Sequence, residues 1–262
     1  MIEVQVAKDG STAVVVMRNE SRLNAFSLPM WSALREAFEE LSGREDLRCI
    51  MLRGAGTAAF SAGADISEFE ATRGTFEQVV EFHEKHVGPC LASIGLCPIP
   101  VVAGIRGVCM GGGLEIASAC DIRIADKTAR FGAPVGRLGF PLAFGETEAL
   151  FRLVGPAVSA EILIEGRVFV AEEALQRGLL TRVIEMDRFE EEVASTMASI
   201  RASGILAARS HKRQIRRLSL DGSAVSLAER MEVYRFAETR EYQEGYRTFL
   251  DRRRKGSKIG RQ

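Results

Sequence analysis

The hydrophobic pattern of the first half of the chain is typical of short strands that alternate with helices. In residues 2–19, apolar and polar residues alternate before Asp9-Gly10, and a run rich in β-branched residues follows it. This pattern predicts a two-stranded hairpin. Apolar runs at 48–54, 101–107, 121–126 and 181–185 predict four more strands. Ser27 and Pro29 mark the start of a helix that ends near Gly43, and a second helix is predicted from about Thr75 to Leu96.

From Gly145 to the end the pattern is largely helical, apart from the run at 181–185. Strands therefore dominate the first half and helices the second. This order predicts an α/β core with parallel crossovers, followed by a helical C-terminal part.

The composition of the chain indicates which kinds of partner it can bind. The chain has 35 basic and 35 acidic residues, so its net charge is zero and it offers no global field to nucleic acid or to an anionic membrane. No apolar run reaches the roughly 18 residues of a membrane span. Its five cysteines are odd in number and form no C-x-x-C pair, which indicates reduced thiols in the core. We expect a soluble cytoplasmic protein with a small-molecule partner.

Three common kinds of site are not supported. The stretch "GAGTAA" (54–59) imitates a dinucleotide fingerprint but is followed by neither a helix nor the required acidic residue. No G-x-S-x-G elbow is present. His83 and His86 are three apart on a predicted helix and could share a face, but no further ligands accompany them. We therefore predict no metal site and a surface or cleft-lining histidine pair.

The segment "CMGGGLEIASAC" (109–120) places three glycines before an apolar helical run that contains one carboxylate, Glu115. A helix that starts within these glycines presents unpaired N–H groups, which suit a developing negative charge. Glu115, one turn into the helix, could move a proton at the group being polarised. From this segment alone, a carboxylate that merely favours the helix dipole is an equally good reading.

The flanking segments resemble a known family. "FSAGADISEF" (60–69), followed about 45 residues later by "PVVAGIRGVCMGGGLEIASACDIRIADKTARFGAP", strongly resembles the crotonase, or enoyl-CoA hydratase/isomerase, family. "RLNAF" (22–26) looks like the family's coenzyme-A-binding segment, and "EGYRTFLDRRR" looks like its usual ending. The resemblance covers nearly the whole chain.

The resemblance implies a spiral of ββα units over 1–200 and a helical trimerisation region over 201–262, assembled as a homotrimer or a dimer of trimers. It also implies an acyl-CoA substrate whose thioester oxygen binds the backbone N–H groups of Ala64 and Gly112, with Glu115 as the acid/base. Coenzyme A is then part of the substrate, and no other cofactor is expected. The residues expected to bind the acyl-CoA are Arg22, Asn24, Ala25, Ala62, Asp65, Ile66, Met110, Gly111, Val135 and Arg252.

One departure from the family is plain. The family's hydratases carry a second glutamate twenty residues after the first, and here that position is Val135, which cannot move a proton. Glu146 replaces a usual loop glycine and is either a displaced second acid or an exposed loop carboxylate. His83 and His86 lie where the family's helix covers the acyl pocket, so one of them could contribute a proton instead.

These observations predict an acyl-CoA lyase or isomerase of fatty acid metabolism that stabilises a thioester enolate, with enoyl-CoA hydratase as the first expectation. The alternative is a double-bond isomerase, or another crotonase-type reaction, that uses Glu115 alone, because one carboxylate can move a proton between two carbons. A different kind of function is also possible for this family: the protein could bind acyl-CoA or RNA without catalysing a reaction. The basic tail is too short to favour RNA, so we do not expect a nucleic-acid partner.

Overall fold

The chain begins with the predicted hairpin. A computed structural model describes residues 1–259, and the side chains of residues 1–251. Strand β1 (Ile2–Val6) pairs antiparallel with β2 (Thr12–Met17), with Val4 opposite Val15. In the turn between the strands, the Asp9 carboxylate accepts a hydrogen bond from the backbone N–H of Ser11.

The four other predicted strands continue from this hairpin into one six-stranded sheet. They are β3 (Cys49–Gly54), β5 (Val101–Ile105), β7 (Ile122–Asp126) and β10 (Arg182–Ile184). The strand order is β1-β2-β3-β5-β7-β10, and every pair from β2 onwards is parallel. Strand β5 is buried along its whole length, as its continuous apolar sequence requires in a sheet that is covered on both faces.

A second sheet has four strands that the sequence pattern did not predict. They are β4 (Ala59–Ser61), β6 (Val108–Met110), β8 (Arg130–Gly132) and β9 (Phe169–Val170), in the order β4-β6-β8-β9. A strand of two or three residues is too short to show a period of two, so the hydrophobic pattern did not predict these strands. From β3 to β8 successive strands alternate between the large and the small sheet, and this repetition forms the expected spiral of ββα units.

Eight helices of the N-terminal part surround the two sheets. They are α1 (Leu28–Ser42), α2 (Phe69–Arg73), α3 (Phe76–Glu81), α4 (Gly88–Leu96), α5 (Gly112–Ala119), α6 (Phe144–Leu163), α7 (Ala171–Gln176) and α8 (Phe189–Ala202). Helix α1 starts after Ser27 and ends before Gly43, as predicted. It buries Trp31, Leu34 and Phe38, which follow the helical spacing, in the core.

The helix predicted from Thr75 to Leu96 is present but changes its winding in the middle. Between α3 and α4, residues Phe82–Val87 form a π-helix in which the Gly88 N–H bonds to the His83 carbonyl. Pro89 explains the change, because it has no N–H and its ring would clash with a carbonyl four residues earlier in an α-helix. The wider turn alters which residues share a face, and this matters for the two histidines that it contains.

The chain divides into two compact units, residues 1–201 and residues 202–262. Within its described part, the second unit contains α9 (Ile205–Leu220), α10 (Leu227–Tyr234) and α11 (Arg240–Ile259). An ion pair of 2.6 Å between Arg217 Nε and Glu229 Oε1 connects α9 to α10. The sequence prediction that this region assembles trimers stays a prediction.

A buried arginine fixes the end of α5. Arg123 on β7 is only 5% exposed. Its guanidinium donates hydrogen bonds to the carbonyl oxygens of Cys120 (2.5 Å), just after α5, and of Leu179 (2.8 Å). The last carbonyls of a helix lack partners within the helix, so this side chain both satisfies one of them and ties α5 to the sheet.

We expect Arg123→Met to lower the free energy of unfolding by about 2 to 4 kcal/mol, because it removes the hydrogen bonds that Arg123 donates to two buried carbonyl groups. Denaturant titration of the purified variant measures this loss. Arg188→Met is the matched control, because Arg188 is exposed and forms an ion pair with the exposed Glu191. The control should stay within about 0.5 kcal/mol of the wild type. Equal effects of the two substitutions would contradict this role of Arg123.

Candidate active site

A cavity of about 170 Å³ brings most of the predicted site residues together. It lies between the segment after β4, the π-helix, the start of α5 and the first turn of α6. The predicted residues that line it are Ala62, Ala64, Ile66, Met110, Gly111, Gly112, Glu115, Val135 and Glu146. Residues separated by more than eighty positions in the sequence therefore face one small volume.

Two backbone N–H groups at this cavity are available to a ligand. Among the described residues, neither the N–H of Ala64 nor that of Gly112 donates a hydrogen bond to another residue. Gly112 is the first residue of α5, where an N–H has no partner within the helix. The parallel pairing of β4 with β6 carries both segments to the same edge of the small sheet.

Gly63 permits this arrangement of the two donors. Its φ of +96° lies in the region that L side chains rarely adopt. A β-carbon at this position would lie 2.9 Å from the Met110 carbonyl oxygen and 3.1 Å from the Gly112 nitrogen. Any side chain here would push the two segments apart and separate the N–H groups of Ala64 and Gly112.

Glu115 is buried one turn into α5, with 5% of its surface exposed. Burial raises the pKa of its carboxyl group well above the usual value of 4.5, the nearby negative charge of Glu146 raises it further, and Arg73 acts in the opposite direction. The neutral carboxylic acid is therefore favoured at pH values where an exposed glutamate is ionised. Such a group is poised to exchange a proton with a ligand in the cavity.

Glu146 is buried as well, which excludes the reading of it as an exposed loop carboxylate. It is 1% exposed and lies in the first turn of α6. One oxygen, Oε2, accepts a hydrogen bond of 3.1 Å from the N–H of Ala143. The other, Oε1, is in hydrogen-bond contact with Nδ1 of His83.

The two histidines of the π-helix point to different neighbours. His83 lines the cavity and contacts Glu146. His86 lies 3.3 Å from the hydroxyl of Ser32 on α1 and does not line the cavity. The expectation that the pair could share a face was wrong, because the wider turn of a π-helix separates residues three apart.

Arg73 also faces the cavity, and the sequence reasoning missed it. Its guanidinium lies 3.6 Å from the ring centre of Phe82 and 4.1 Å from that of Phe69. Its Nε is buried and has no hydrogen-bond partner among the described residues. The i,i+4 spacing of Phe69 and Arg73 on α2 was the only signal in the sequence. This fixed positive charge offsets part of the negative charge in the cavity.

Other predicted binding residues lie beside the cavity. Arg22 Nη1 and Asp65 Oδ2 form an ion pair of 2.5 Å. Asn24 is 1% exposed, and its side-chain amide donates to the carbonyls of Ala55 and Ala59, so it holds the backbone of this region in place. Ala25 is buried next to it. The side chain of Arg252 lies outside the described residues.

The described residues also bear on three other features: metal-binding clusters, membrane-spanning helices and disulfides. They contain no cluster of three or more potential metal ligands. Within the same part of the chain, no helix is long and apolar enough to cross a membrane. All five cysteines are buried free thiols, as predicted.

Comparison with known proteins identifies the family. The family model described as enoyl-CoA hydratase/isomerase matches residues 7–257. The chain belongs to the enoyl-CoA hydratase/isomerase family. This confirms the resemblance that was inferred from the two glycine-containing motifs.

Individual members of this family are similar over most of their length. A short-chain-enoyl-CoA hydratase from Clostridium acetobutylicum is 33% identical over 201 residues, which cover 75% of each chain. A crotonyl-CoA hydratase from Syntrophomonas wolfei is 29% identical, with 94% of each chain covered. A crystal structure of an enoyl-CoA hydratase/carnithine racemase from Magnetospirillum magneticum has a TM-score of 0.91 and 42% identity, covering 95% of this chain and 92% of that one.

The burial of Glu115 in this member of the hydratase/isomerase family predicts a pH-dependent cost to stability. The unfolded chain releases the proton near pH 4.5, whereas the folded chain keeps it. Above that pH, the free energy of unfolding of the wild type should therefore fall relative to that of Glu115→Gln by about 1.4 kcal/mol per pH unit, until the folded pKa is reached.

Denaturant titrations of both proteins at several pH values between about 5 and 8 measure this slope. Glu148→Gln serves as the control, because Glu148 is exposed on the same helix as Glu146. Its stability should follow that of the wild type at every pH. A constant difference between the wild type and Glu115→Gln would show that Glu115 ionises normally in the folded protein.

Proposed function

We propose that this protein acts on acyl-CoA thioesters by stabilising their enolates, and that its reaction is the addition of water to a 2-enoyl-CoA. The observation that carries the proposal is that Ala64 and Gly112, whose N–H groups have no partner in the described part of the chain, line the same cavity as the buried Glu115. The names of the similar proteins from Clostridium acetobutylicum and Syntrophomonas wolfei, both hydratases of enoyl thioesters, support the choice of reaction.

The chemistry follows from where charge develops. When water adds to the β carbon of an enoyl thioester, negative charge moves to the thioester oxygen. Backbone N–H groups aimed at that oxygen stabilise the charge without reorganising, in a cavity where little water competes with them. The neutral Glu115 then supplies a proton to the α carbon. Arg22 and Asp65, at the edge of this region, are proposed to contact the coenzyme A part of the substrate.

A second reaction is favoured by one specific observation. Val135 lines the cavity at the position where the family's hydratases carry their second glutamate, and it has no group that can titrate. A double-bond isomerase needs only one carboxylate to carry a proton between two carbons. The isomerisation of a 3-enoyl-CoA is therefore the alternative reaction for the same enolate-stabilising site.

Two spectroscopic assays separate these reactions. Hydration of crotonyl-CoA removes the conjugated double bond and lowers its absorbance, whereas isomerisation of a 3-enoyl-CoA creates a conjugated bond and raises it. We expect hydration by the wild type and a loss of about a hundredfold or more in Glu115→Gln. The affinity for acyl-CoA should be retained in the variant, because the amide changes the volume of the side chain little.

The controls address the non-catalytic alternative. Glu148→Gln should retain full activity, since Glu148 is exposed and paired with Arg152. A wild-type protein that binds acyl-CoA but performs neither reaction would contradict the proposed function and favour a binding role. Unchanged turnover in Glu115→Gln would remove this residue from the mechanism.

A further inference from the structure

The cavity lacks a carboxylate at Val135, yet it contains a second one at another place. Four described residues with charged or titratable side chains line it: Arg73, His83, Glu115 and Glu146. Each comes from a different element, namely α2, the π-helix, α5 and α6. The proposed hydration needs a base for water as well as an acid for the α carbon, and Glu115 alone does not divide these tasks.

We propose that Glu146, held in place by His83, activates the water that this site adds to the substrate and so replaces the glutamate that is absent at position 135. The inference rests on the proposed function and selects hydration over isomerisation. It assigns to Glu146 a role that its position in the sequence left open.

The contacts of Glu146 hold both of its carboxyl oxygens. The Ala143 N–H donates to Oε2, and the carboxylate lies at the N-terminal turn of α6, where the helix dipole favours negative charge. His83 Nδ1 contacts Oε1, so a proton on this nitrogen also points at the carboxylate. With both oxygens engaged, the carboxylate has one orientation in the cavity. A base that is fixed in this way needs no reorganisation when water binds.

Apart from His83, to which the proposal gives the positioning role, the other groups around Glu146 do not compete for the role of base. Arg73 remains a cation and cannot accept a proton, but its charge makes one ionised carboxylate in the cavity tolerable. His86 lies against Ser32 and outside the cavity. Glu115 is kept neutral by its burial and by the charge of Glu146. The proposed acid is thus on α5 and the proposed base on α6.

Atoms and electrons balance in the resulting reaction. Glu146 takes a proton from water as the water oxygen forms a bond to the β carbon. The π electrons of the carbon–carbon double bond move towards the thioester, and negative charge develops on its oxygen. The N–H groups of Ala64 and Gly112 donate hydrogen bonds to this oxygen. Glu115 then gives its proton to the α carbon as the thioester carbonyl re-forms. The proton on Glu146 returns to Glu115 before the next turnover.

Two measurements on Glu146→Gln test this division of tasks. The first is the hydration of crotonyl-CoA, which should fall about a hundredfold or more. The second is the exchange of the α hydrogens of butyryl-CoA with deuterium from D₂O, followed by NMR, which needs Glu115 but no added water. Exchange should persist in Glu146→Gln, and its rise with pH should move to lower pH, because Glu115 ionises more readily without the neighbouring negative charge.

His83→Gln tests the positioning role. We expect a lower kcat for hydration with KM within about twofold of the wild type, because the carboxylate loses its fixed orientation but the acyl pocket is kept. His86→Gln is the matched control from the same π-helix and should behave like the wild type. Glu148→Gln is the matched control for Glu146. If Glu146→Gln fails to fold, Glu146→Asp keeps the charge but shortens its reach, and it should also lose hydration while retaining exchange.

The outcomes distinguish this inference from the proposed function. If the wild type performs neither reaction and no exchange, the proposed function fails. If the wild type isomerises 3-enoyl-CoA but does not hydrate, the proposed function holds in its alternative form and the inference on Glu146 is overturned. Hydration at the wild-type rate by Glu146→Gln, or equal losses of hydration and exchange in that variant, would also overturn it.

Discussion

The close approach of two backbone segments, residues 61–64 and 110–113, is the constraint on which the site depends. Strands β4 and β6 run parallel beside each other and deliver the two segments to one edge of the small sheet. A β-carbon on Gly113 would lie 2.3 Å from the carbonyl oxygen of Ser61, so only glycine allows this distance. The approach brings Ala64 and Gly112 to the same cavity, and their N–H groups have no partner among the described residues. It also fixes the start of α5 and hence the position of Glu115.

This constraint creates an electrostatic problem that the neighbouring elements resolve. Glu115 and Glu146 are both nearly inaccessible to solvent, and two ionised carboxylates in such a cavity would repel each other strongly. The raised pKa of Glu115 keeps one of them neutral. Arg73, which stacks on Phe82, brings a positive charge to the cavity, and His83 contacts Glu146. The two glutamates therefore share one cavity but have different surroundings, which is what the proposed division into an acid and a base requires.

The sequence predicted the parts of the site that depend on local backbone. Gly112, Ala64 and Glu115 follow from glycine-containing motifs, and the strands of the large sheet follow from long apolar runs. The short strands of the second sheet were not predictable, because two or three residues display no periodicity. The contact of Glu146 with His83 joins residues 63 positions apart and depends on a π-helix that a helical pattern does not reveal. Arg73 was missed because its cavity forms only when α2 packs near the π-helix.

The central claim is that one cavity holds the thioester oxygen on two N–H groups while two glutamates face the reacting carbons. A crystal structure with a bound, unreactive acyl-CoA tests it most directly. We predict that the thioester oxygen lies within about 3.2 Å of the nitrogen atoms of both Ala64 and Gly112. We also predict that Glu115 faces the α carbon and Glu146 the β carbon. An acyl group bound outside this cavity, or a thioester oxygen that contacts neither nitrogen, would contradict the account.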